Sequence, residues 1–385
     1  MMYSYDKYYE RAIGLYRKLH QIPEIGFELE KTVETVKSEL EDCGIGYTEK
    51  YGKGSIVAEI GNGDKCIALR ADMDALPIEE KSGLDFSSAH KGAMHACGHD
   101  SHTAILLAVA RFLKENESKL DFRARLIFQP SEECAVSGAE MMVKNGVMDR
   151  VDHIVAAHCD PSIRSAELGV CEGDYMAACV PMRITFLGLS SHATVPQMGI
   201  DAIAMANKAY NELKEAVVRE AHGAKYIWSV GRFEGGIAHN VICDRCEMDI
   251  SFRFYDMDFA ARMEKEAQRI CQGIAKEYGG DVVIDWHVST GPVINSGRIA
   301  NALKSSAQGA GIKTNDITAV MTSEDFGWYL TKADGCLFRY GICNEAFGST
   351  NPLHSCNFKI YEPSMKTAIT AFCEYILTIN KEYEK

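Results

Sequence analysis

A chain of 385 residues is longer than one hydrophobic core usually supports, so we expect two domains. Hydrophobic residues at 46% and charged residues at 25% are typical of a globular protein. The 54 acidic residues outnumber the 41 basic ones and give a net charge of −13, which argues against nucleic acid and anionic membranes as partners.

The N-terminus and the cysteines predict where the protein works. Residues 1–7, MMYSYDK, lack the apolar core of a signal peptide, and no apolar run is long enough to span a bilayer. Fourteen irregularly spaced cysteines in a chain without such a signal predict reduced thiols rather than a disulfide framework. We therefore expect a cytoplasmic protein.

The stretch from Met94 to His102, MHACGHDSH, carries one thiol, three imidazoles and a carboxylate. Cys97 and His99 are two positions apart, so they point to the same place only from a loop or a tight turn. A thiolate beside an imidazole suits zinc or a neighbouring transition metal. The alternative is a polar loop whose histidines cap the following helix. We expect that helix from His102 to about Leu113, buried because it is hydrophobic on all faces.

Further polar groups follow apolar runs that predict short buried strands. These groups are Arg70–Asp74, which includes Asp72, the pair Glu132–Glu133, and His158. In open α/β sheets, ligands collect outside the carboxyl ends of the strands. We therefore expect the three groups to converge on one place.

One member of the acidic pair and a late histidine complete a set of candidate metal ligands. The set is Cys97, His99, Glu133, His158 and His354. Five protein ligands are too many for one tetrahedral zinc ion but suit two metal ions that share a bridge.

The Glu132–Glu133 pair needs its own explanation, because adjacent side chains on an extended segment or turn point in different directions. One carboxylate can bind metal while the other stays available to take a proton from a metal-bound water and pass it to a leaving amine. The alternative is a pair of solvated glutamates at a helix start, stabilised there by the helix dipole.

Between residues 181 and 290 the pattern of predicted elements changes. It reads strand 182–186, helix 201–221, strand 226–230, strand 248–254, helix 259–278 and strand 282–286. This β-α-β-β-α-β order is the signature of a ferredoxin-like unit.

The chain must then return to the first domain, because His354 is needed at the metal ions. We therefore predict a catalytic metal-binding domain of residues 1–178 and 291–385, with residues 179–290 inserted as a ferredoxin-like domain. Pro181 and Gly291-Pro292 provide breakers near the two junctions.

The chain resembles the metal-dependent aminoacylase and carboxypeptidase superfamily, in the amidohydrolase branch that includes hippurate hydrolase, auxin-conjugate hydrolases and N-acetyl-diaminopimelate deacetylase. The resemblance spans nearly the whole chain. Its motifs are Leu19–Glu24, Arg70–Leu76, Met94–His102, Gln129–Glu133, Gly188–Pro196, Gly235–Ile242, Ser323–Phe326 and His354–Phe358. The resemblance implies an α/β fold: a mixed-sheet dinuclear metallohydrolase domain with an inserted lid and dimerisation domain.

The resemblance also implies a role for each candidate residue. The implied metal ligands are Cys97, His99, Glu133, His158 and His354. Glu132 would be the general base, and Asp72 would orient a ligand. His192 would reach into the active site of the neighbouring subunit and stabilise the oxyanion. Asn240 and Arg253 would hold the substrate carboxylate or the tetrahedral intermediate.

These expectations combine into a metal-dependent amidohydrolase that cleaves the amide bond of a small N-acylated amino acid. We expect two divalent ions, chosen among zinc, manganese, cobalt and nickel, and a homodimer or higher homo-oligomer. Cys134 and Cys159 place extra thiols near the expected ligands and leave the metal preference open. Two alternatives are a dipeptidase or carboxypeptidase on the same scaffold, and a catalytically silent metal-binding protein.

Overall fold

The computed structural model describes residues 4–383, and the chain divides into two compact units. The first unit comprises Met1–Tyr175, Ile294–Ala319 and Asp325–Lys385. The second comprises Met176–Val293 together with the short segment Val320–Glu324. This division lies three residues outside the junctions expected at 179 and 290. It also groups 320–324, which we expect in the catalytic domain, with the second unit.

Strands and helices alternate along the described chain. The strands are β1 (Tyr47–Thr48), β2 (Ile56–Ile60), β3 (Lys65–Asp72), β4 (Phe122–Gln129), β5 (His153–Arg164), β6 (Glu167–Val170), β7 (Gly173–Met176), β8 (Ala178–Leu187), β9 (Tyr226–Gly235), β10 (Arg245–Phe254), β11 (Asp281–Asp285), β12 (Val293–Asn295), β13 (Lys313–Asp316) and β14 (Asp334–Cys343). The helices are α1 (Asp6–His20), α2 (Glu30–Asp42), α3 (His99–Glu115), α4 (Gly138–Lys144), α5 (Ala202–Glu220), α6 (Met257–Tyr278), α7 (Gly297–Gly309), α8 (Gly327–Leu330) and α9 (Ser364–Tyr383).

The first unit is built on a mixed eight-stranded sheet with the order β1-β2-β4-β3-β5-β14-β6-β13. Strands β4, β3, β5 and β14 run parallel to their neighbours in this series, whereas β2 is antiparallel to β4. The parallel strands are buried almost throughout, as expected for apolar runs covered on both faces. Their carboxyl ends therefore meet at one edge of the sheet.

Helix α3 is buried on nearly every face, which confirms the prediction from its sequence. It begins three residues earlier than predicted, at His99, because Gly98 adopts a left-handed backbone conformation that turns the preceding loop into the helix. The early start places His99 in the first turn of α3.

The second unit is a four-stranded antiparallel sheet with the order β11-β8-β10-β9. Alternate residues of β8 and β10 are buried against α5 and α6, and Asp201 and Asp256 cap these helices with their carboxylates. The six elements follow the βαββαβ order that the sequence predicts. Strands β9 and β10 extend beyond their predicted ends because cross-strand ion pairs such as Arg232–Glu247 (2.9 Å) support their polar ends.

The sequence predicts His158 at the end of a strand, but the residue lies inside one. Strand β5 continues to Arg164, and His158 pairs in register with Arg339 of β14. The apolar run ends at His158, yet β14 continues to supply hydrogen bonds, so β5 extends past the end of its apolar run.

A buried ion triad joins the first helix to the start of α3. The His20 Nδ1 lies 2.6 Å from Asp100 Oδ2, and its Nε2 lies 3.1 Å from Glu80 Oε1. Burial lowers the pKa of His20, but the two carboxylates outweigh it and raise that pKa to about 9. The triad is therefore charged at neutral pH and stabilises the folded chain.

We predict a pH-dependent stability difference between the wild-type protein and His20→Gln. The folded pKa of His20 is about 9 and its ordinary value is 6.5, so the stabilisation is complete below pH 6.5 and is lost as the pH rises through 9. Urea unfolding between pH 6 and 9.5 should show the difference in unfolding free energy shrinking.

The matched control is His153→Gln. Burial lowers the pKa of His153 to about 4, so its contribution should stay constant from pH 7.5 to 9.5. A His20 difference that is equally constant over that range would contradict the charged triad.

Candidate metal centre

The structure brings all five predicted ligands together in the first unit. Cys97 precedes α3, His99 opens it, Glu133 follows β4, His158 lies in β5 and His354 follows β14. Glu133 Oε1 lies 3.1 Å from His354 Nε2 and 3.9 Å from His99 Nε2, and Cys97 Sγ lies 3.4 Å from His158 Nε2. Residues distant in sequence thus converge at the carboxyl edge of the parallel strands.

The donor atoms of the candidate ligands and Glu132 form overlapping groups that could each hold a metal ion. One contains Cys97, His99 and His158, a second contains Cys97, Glu133 and His354, and a third contains His99, Glu132 and Glu133, with the ligand atoms of each group within 4.8 Å of one another. Cys97, His99 and Glu133 each belong to two of these groups. The arrangement would therefore suit two ions held close together.

His99 provides the observation that tests whether a metal fits. It is fully buried, and neither ring nitrogen has a hydrogen-bond partner of good geometry among residues 4–383. Its Nε2 faces Glu132 Oε2 at 4.0 Å and Glu133 Oε1 at 3.9 Å. Buried polar atoms without partners are rare in native proteins, and an ion between these groups would satisfy them. The mixture of thiol, imidazole and carboxylate fits a divalent transition metal.

His158 is held so that a defined nitrogen faces the cluster. Its Nδ1–H donates to the carbonyl oxygen of Cys159 at 2.7 Å, which leaves the Nε2 lone pair directed toward Cys97. Burial lowers the pKa of His158 well below its usual value, so the ring is neutral. A neutral imidazole with one nitrogen tied to a carbonyl is the usual state of a metal-binding histidine.

Asp74 orients the acidic pair, a role that we did not predict. Its two carboxylate oxygens accept the backbone N–H groups of Glu132 and Glu133, each at 3.0 Å, and one of them lies 3.4 Å from His99 Nδ1. The available signal was the spacing of Asp72 and Asp74, because alternate residues of an extended segment face the same side.

Asp72, for which we predict a ligand-orienting role, makes its close contact to a histidine outside the predicted set. Its Oδ1 accepts from His102 Nδ1 at 2.6 Å, whereas His99 Nε2 is 3.8 Å away. Sequence reasoning missed His102, although its position three residues after His99 places both on one face of α3. Burial raises the pKa of Asp72, but Arg70 and the imidazoles outweigh it and hold this pKa well below its usual range.

Gly98 allows the Cys97 loop to approach β5. Its φ is +86°, and a Cβ at this position would lie 2.6 Å from Cys159 Sγ and 3.1 Å from Ile360 Cδ1. The Cys159 thiol donates to the Cys97 carbonyl oxygen at 3.2 Å. The glycine between Cys97 and His99 is therefore required both for its backbone conformation and for its lack of a side chain.

The three remaining predicted residues belong to the second unit. His192 and Asn240 are exposed on adjoining loops, joined by a hydrogen bond from Ala193 N–H to the Asn240 carbonyl (3.0 Å). The N–H of Thr194 donates to His192 Nδ1 at 3.2 Å, so the ring proton of neutral His192 lies on Nε2. Arg253, on β10, donates to the Met321 carbonyl and to Ser323 Oγ, each at 3.0 Å.

Comparison with known proteins places the chain in a family. Residues 68–378 match the model of Peptidase family M20/M25/M40. The chain belongs to this family. The N-acetyl-L-cysteine deacetylase of Bacillus subtilis (strain 168) is 34% identical over 335 residues, which is 86% of this chain and 80% of that protein. Thermostable carboxypeptidase 2 of Saccharolobus solfataricus is 32% identical over 367 residues, 93% of each chain.

A solved structure shares the fold. The Bacillus subtilis YXEP protein, a dinuclear metal binding peptidase from the M20 family, superposes with a TM-score of 0.82 at 30% identity, covering 98% of this chain and 99% of that one. The predicted family and the predicted mixed α/β fold class are confirmed. As a family member, the chain is a hydrolase of amide bonds. Within residues 4–383, no helix combines the length and apolarity needed to cross a membrane.

We predict that Gly98→Ala destabilises the protein more than a matched change at another left-handed glycine. Gly44 has a φ of +65° and nothing within 4 Å of its would-be Cβ, so Gly44→Ala should cost only the backbone strain of about 1–2 kcal/mol. Gly98→Ala adds the clash with Cys159. Urea unfolding of both variants measures the difference, and equal losses would show that the close approach to β5 does not matter.

Proposed function

We propose that the chain is a dinuclear metal-dependent amidohydrolase that cleaves the amide bond of N-acyl amino acids. The observation that carries this proposal is the group of five ligand side chains with a sixth, the Glu132 carboxylate, beside them. The relatives named for N-acetyl-cysteine deacetylation and N-acyl-amino acid hydrolysis support the substrate class. The proposed metal ligands are Cys97, His99, Glu133, His158 and His354.

The roles proposed for the chain's own residues follow from their positions. Two bound divalent ions would acidify a shared water and polarise the acyl carbonyl. Glu132 takes a proton from the attacking water and passes it to the leaving amine, which requires a carboxylate that is beside the ligands without serving as one. Glu133 is the proposed ligand of the acidic pair, because its Oε1 lies 3.1 Å from His354 Nε2 and within ligand distance of Cys97.

Residues of the second unit are proposed to bind the substrate. His192 carries its proton on Nε2 and can donate it as a hydrogen bond to the oxyanion that develops on the acyl carbonyl. Asn240 lies on the adjoining loop, and Arg253 offers a guanidinium suited to a carboxylate. Asn240 and Arg253 would hold the carboxylate of the amino acid or the tetrahedral intermediate.

The metal identity is proposed as zinc, manganese, cobalt or nickel. Thiolate and imidazole ligands favour zinc, cobalt and nickel, whereas Glu133 suits manganese as well. The fourteen cysteines are all free thiols in the structure, which supports a cytoplasmic location. The net charge supports a small-molecule substrate without nucleic acid or membrane partners.

A carboxypeptidase or dipeptidase on the same scaffold is the second candidate. The relative named thermostable carboxypeptidase 2 favours this candidate, because its similarity extends over 93% of this chain. A catalytically silent protein is disfavoured by the presence of Glu132 beside the complete ligand set. A panel of N-acetyl amino acids and dipeptides, tested with metal-loaded protein, separates the three possibilities.

We predict that Glu132→Gln loses turnover but keeps its metal, whereas Glu133→Gln loses metal as well. Removing a general base typically costs about 10²–10⁴-fold in rate and leaves the ligands in place. Turnover and metal content by mass spectrometry measure both effects. Glu140→Gln, in a glutamate of α4 that pairs with Lys144, is the control and should change neither. Metal loss in Glu132→Gln but not in Glu133→Gln would reverse the assignment.

A homodimer with shared active sites is proposed from the second unit. Its sheet ends in the exposed edge strand β9, followed by the 91% exposed side chain of Ile237. Exposed strand edges tend to pair with other strands, and pairing of β9 with its copy across a two-fold axis would bury both edges. The same contact would offer His192 to the partner's metal centre.

We predict that two inactive variants restore activity when their subunits are exchanged. A mixed dimer of His192→Ala and Glu132→Gln would hold one site in which both residues are intact. Mass spectrometry verifies the mixed dimers, and each variant mixed with itself is the control. Verified mixed dimers without activity would show that His192 does not act across the dimer.

A further inference from the structure

A continuous buried chain of hydrogen bonds runs through an arginine that lies between two carboxylates. Arg70 Nη1 donates to Asp72 Oδ2 at 2.6 Å, and Arg70 Nη2 donates to Asp325 Oδ1 at 3.0 Å. All three side chains are at most 1% exposed. Charges this deeply buried are tolerated only when they are paired with good geometry, so the three groups fix one another.

At one end of this chain of hydrogen bonds, several donors bond the Asp325 carboxylate. Asp325 accepts from Gln129 Nε2 at 2.8 Å, from Ser137 Oγ at 2.7 Å and from the Ala139 N–H at 3.2 Å. Gln129 in turn accepts from Arg70 Nε at 2.8 Å. Strand β4 and the start of α4 therefore hold the guanidinium in place.

The other end of the chain of hydrogen bonds, toward the metal centre, passes through His102. Its Nδ1 lies 2.6 Å from Asp72 Oδ1, and the backbone N–H of Cys159 donates to its Nε2 at 3.0 Å. A backbone N–H can only donate, so Nε2 carries a lone pair and the ring proton lies on Nδ1. Although His102 lies within ligand distance of His158 and Cys159, both of its nitrogens are already engaged.

Cys159 is where this chain of hydrogen bonds reaches the metal centre. Its carbonyl oxygen accepts from His158 Nδ1, and its thiol donates to the carbonyl oxygen of Cys97. The position of the Cys159 backbone thus determines which nitrogen of His158 faces the Cys97 sulfur. Not every buried histidine has both ring nitrogens hydrogen-bonded. Neither ring nitrogen of His95 has a hydrogen-bond partner among the described residues.

We propose that Asp325, Arg70, Asp72 and His102 form a positioning relay that fixes the Cys159 backbone and thereby presents His158 Nε2 and the Cys97 sulfur to the metal ions. This inference rests on the proposed function, because it assigns His158 and Cys97 as ligands. His102 is a positioning residue and not a ligand. Groups that orient metal ligands in this way typically contribute about 10–100-fold to metal affinity.

Two substitutions of His102 separate its two hydrogen bonds. In His102→Asn, the amide nitrogen can still donate to Asp72, but the Cys159 N–H loses its acceptor. In His102→Gln, the longer amide can accept from Cys159, but the Asp72 bond is lost. The control is His153→Gln. His153 is buried like His102 and lies on β5, the strand of His158 and Cys159, but it bonds Tyr375 and no member of the relay.

The first measurement is the affinity for cobalt(II), determined by competition with a chromophoric chelator, together with the thiolate-to-cobalt absorption band. We expect both His102 variants to bind cobalt about 10–100-fold more weakly, with a shifted band, and His153→Gln to match the wild-type protein. Arg70→Lys keeps the charge but loses the two-pronged contact, and should weaken binding in the same direction. Folded His102 variants with wild-type affinity and an unchanged band would overturn the relay.

The second measurement is the histidine tautomer in ¹⁵N-labelled, metal-free protein by NMR. Wild-type His102 and His158 should both carry their proton on Nδ1. In His102→Asn the His158 proton should no longer be confined to Nδ1, a change that a purely structural role for His102 would not produce. If the His102 variants do not fold, the same tautomer and cobalt measurements on Arg70→Lys decide the matter, and wild-type results there overturn the relay.

Failure of the relay is distinguishable from failure of the proposed function. Wild-type protein that binds cobalt but hydrolyses no N-acyl amino acid or dipeptide would overturn the function and leave the relay standing. Wild-type protein that hydrolyses them while its His102 variants bind cobalt normally would overturn the relay alone. Wild-type protein that binds no cobalt would overturn both, because the relay is proposed to present ligands to metal ions.

Discussion

Burial of charge at the carboxyl edge of the parallel strands governs the structure of the first unit. Asp72 and Asp74 lie at that edge with almost no exposure, and each must be surrounded by donors. Asp72 obtains them from Arg70 and His102, and Asp74 from the backbone of the Glu132–Glu133 turn. The positions of α3, of the acidic turn and of β5 are therefore coupled to the same two carboxylates.

This coupling explains why the candidate ligands come from four separate segments and still meet. Each segment is fixed by a neighbour outside the proposed ligand set: Cys97 by its bond from Cys159, the Glu133 turn by Asp74, His158 by the Cys159 carbonyl, and His354 by a backbone bond from its N–H to Ala96 O (2.9 Å). Supporting hydrogen bonds of this kind hold side chains close to the geometry that a bound ion would need.

The sequence predicts that the five candidate ligands meet, because such residues are visible as residue types in motifs and at strand ends, and the structure brings them together. It also predicts the βαββαβ order of the second unit, since strand and helix periodicities differ clearly there. It could not place His158 inside β5, because the pairing with β14 comes from residues nearly two hundred positions away. Asp74 and His102 escaped prediction for a similar reason. Asp74 bonds the backbone of Glu132 and Glu133, and His102 bonds the backbone of Cys159 as well as the Asp72 side chain, and only the folded chain defines where these groups lie. The grouping of 320–324 with the second unit likewise rests on contacts such as Arg253 to Met321.

Burial of the Cys97 thiol has a consequence for metal uptake. Burial raises the pKa of this thiol well above its usual value, so it is protonated in the absence of an ion. Under the proposed ligand assignment, an ion held by Cys97 would replace that proton. Metal uptake would therefore release acid into the solution, and the affinity for metal would fall as the pH falls.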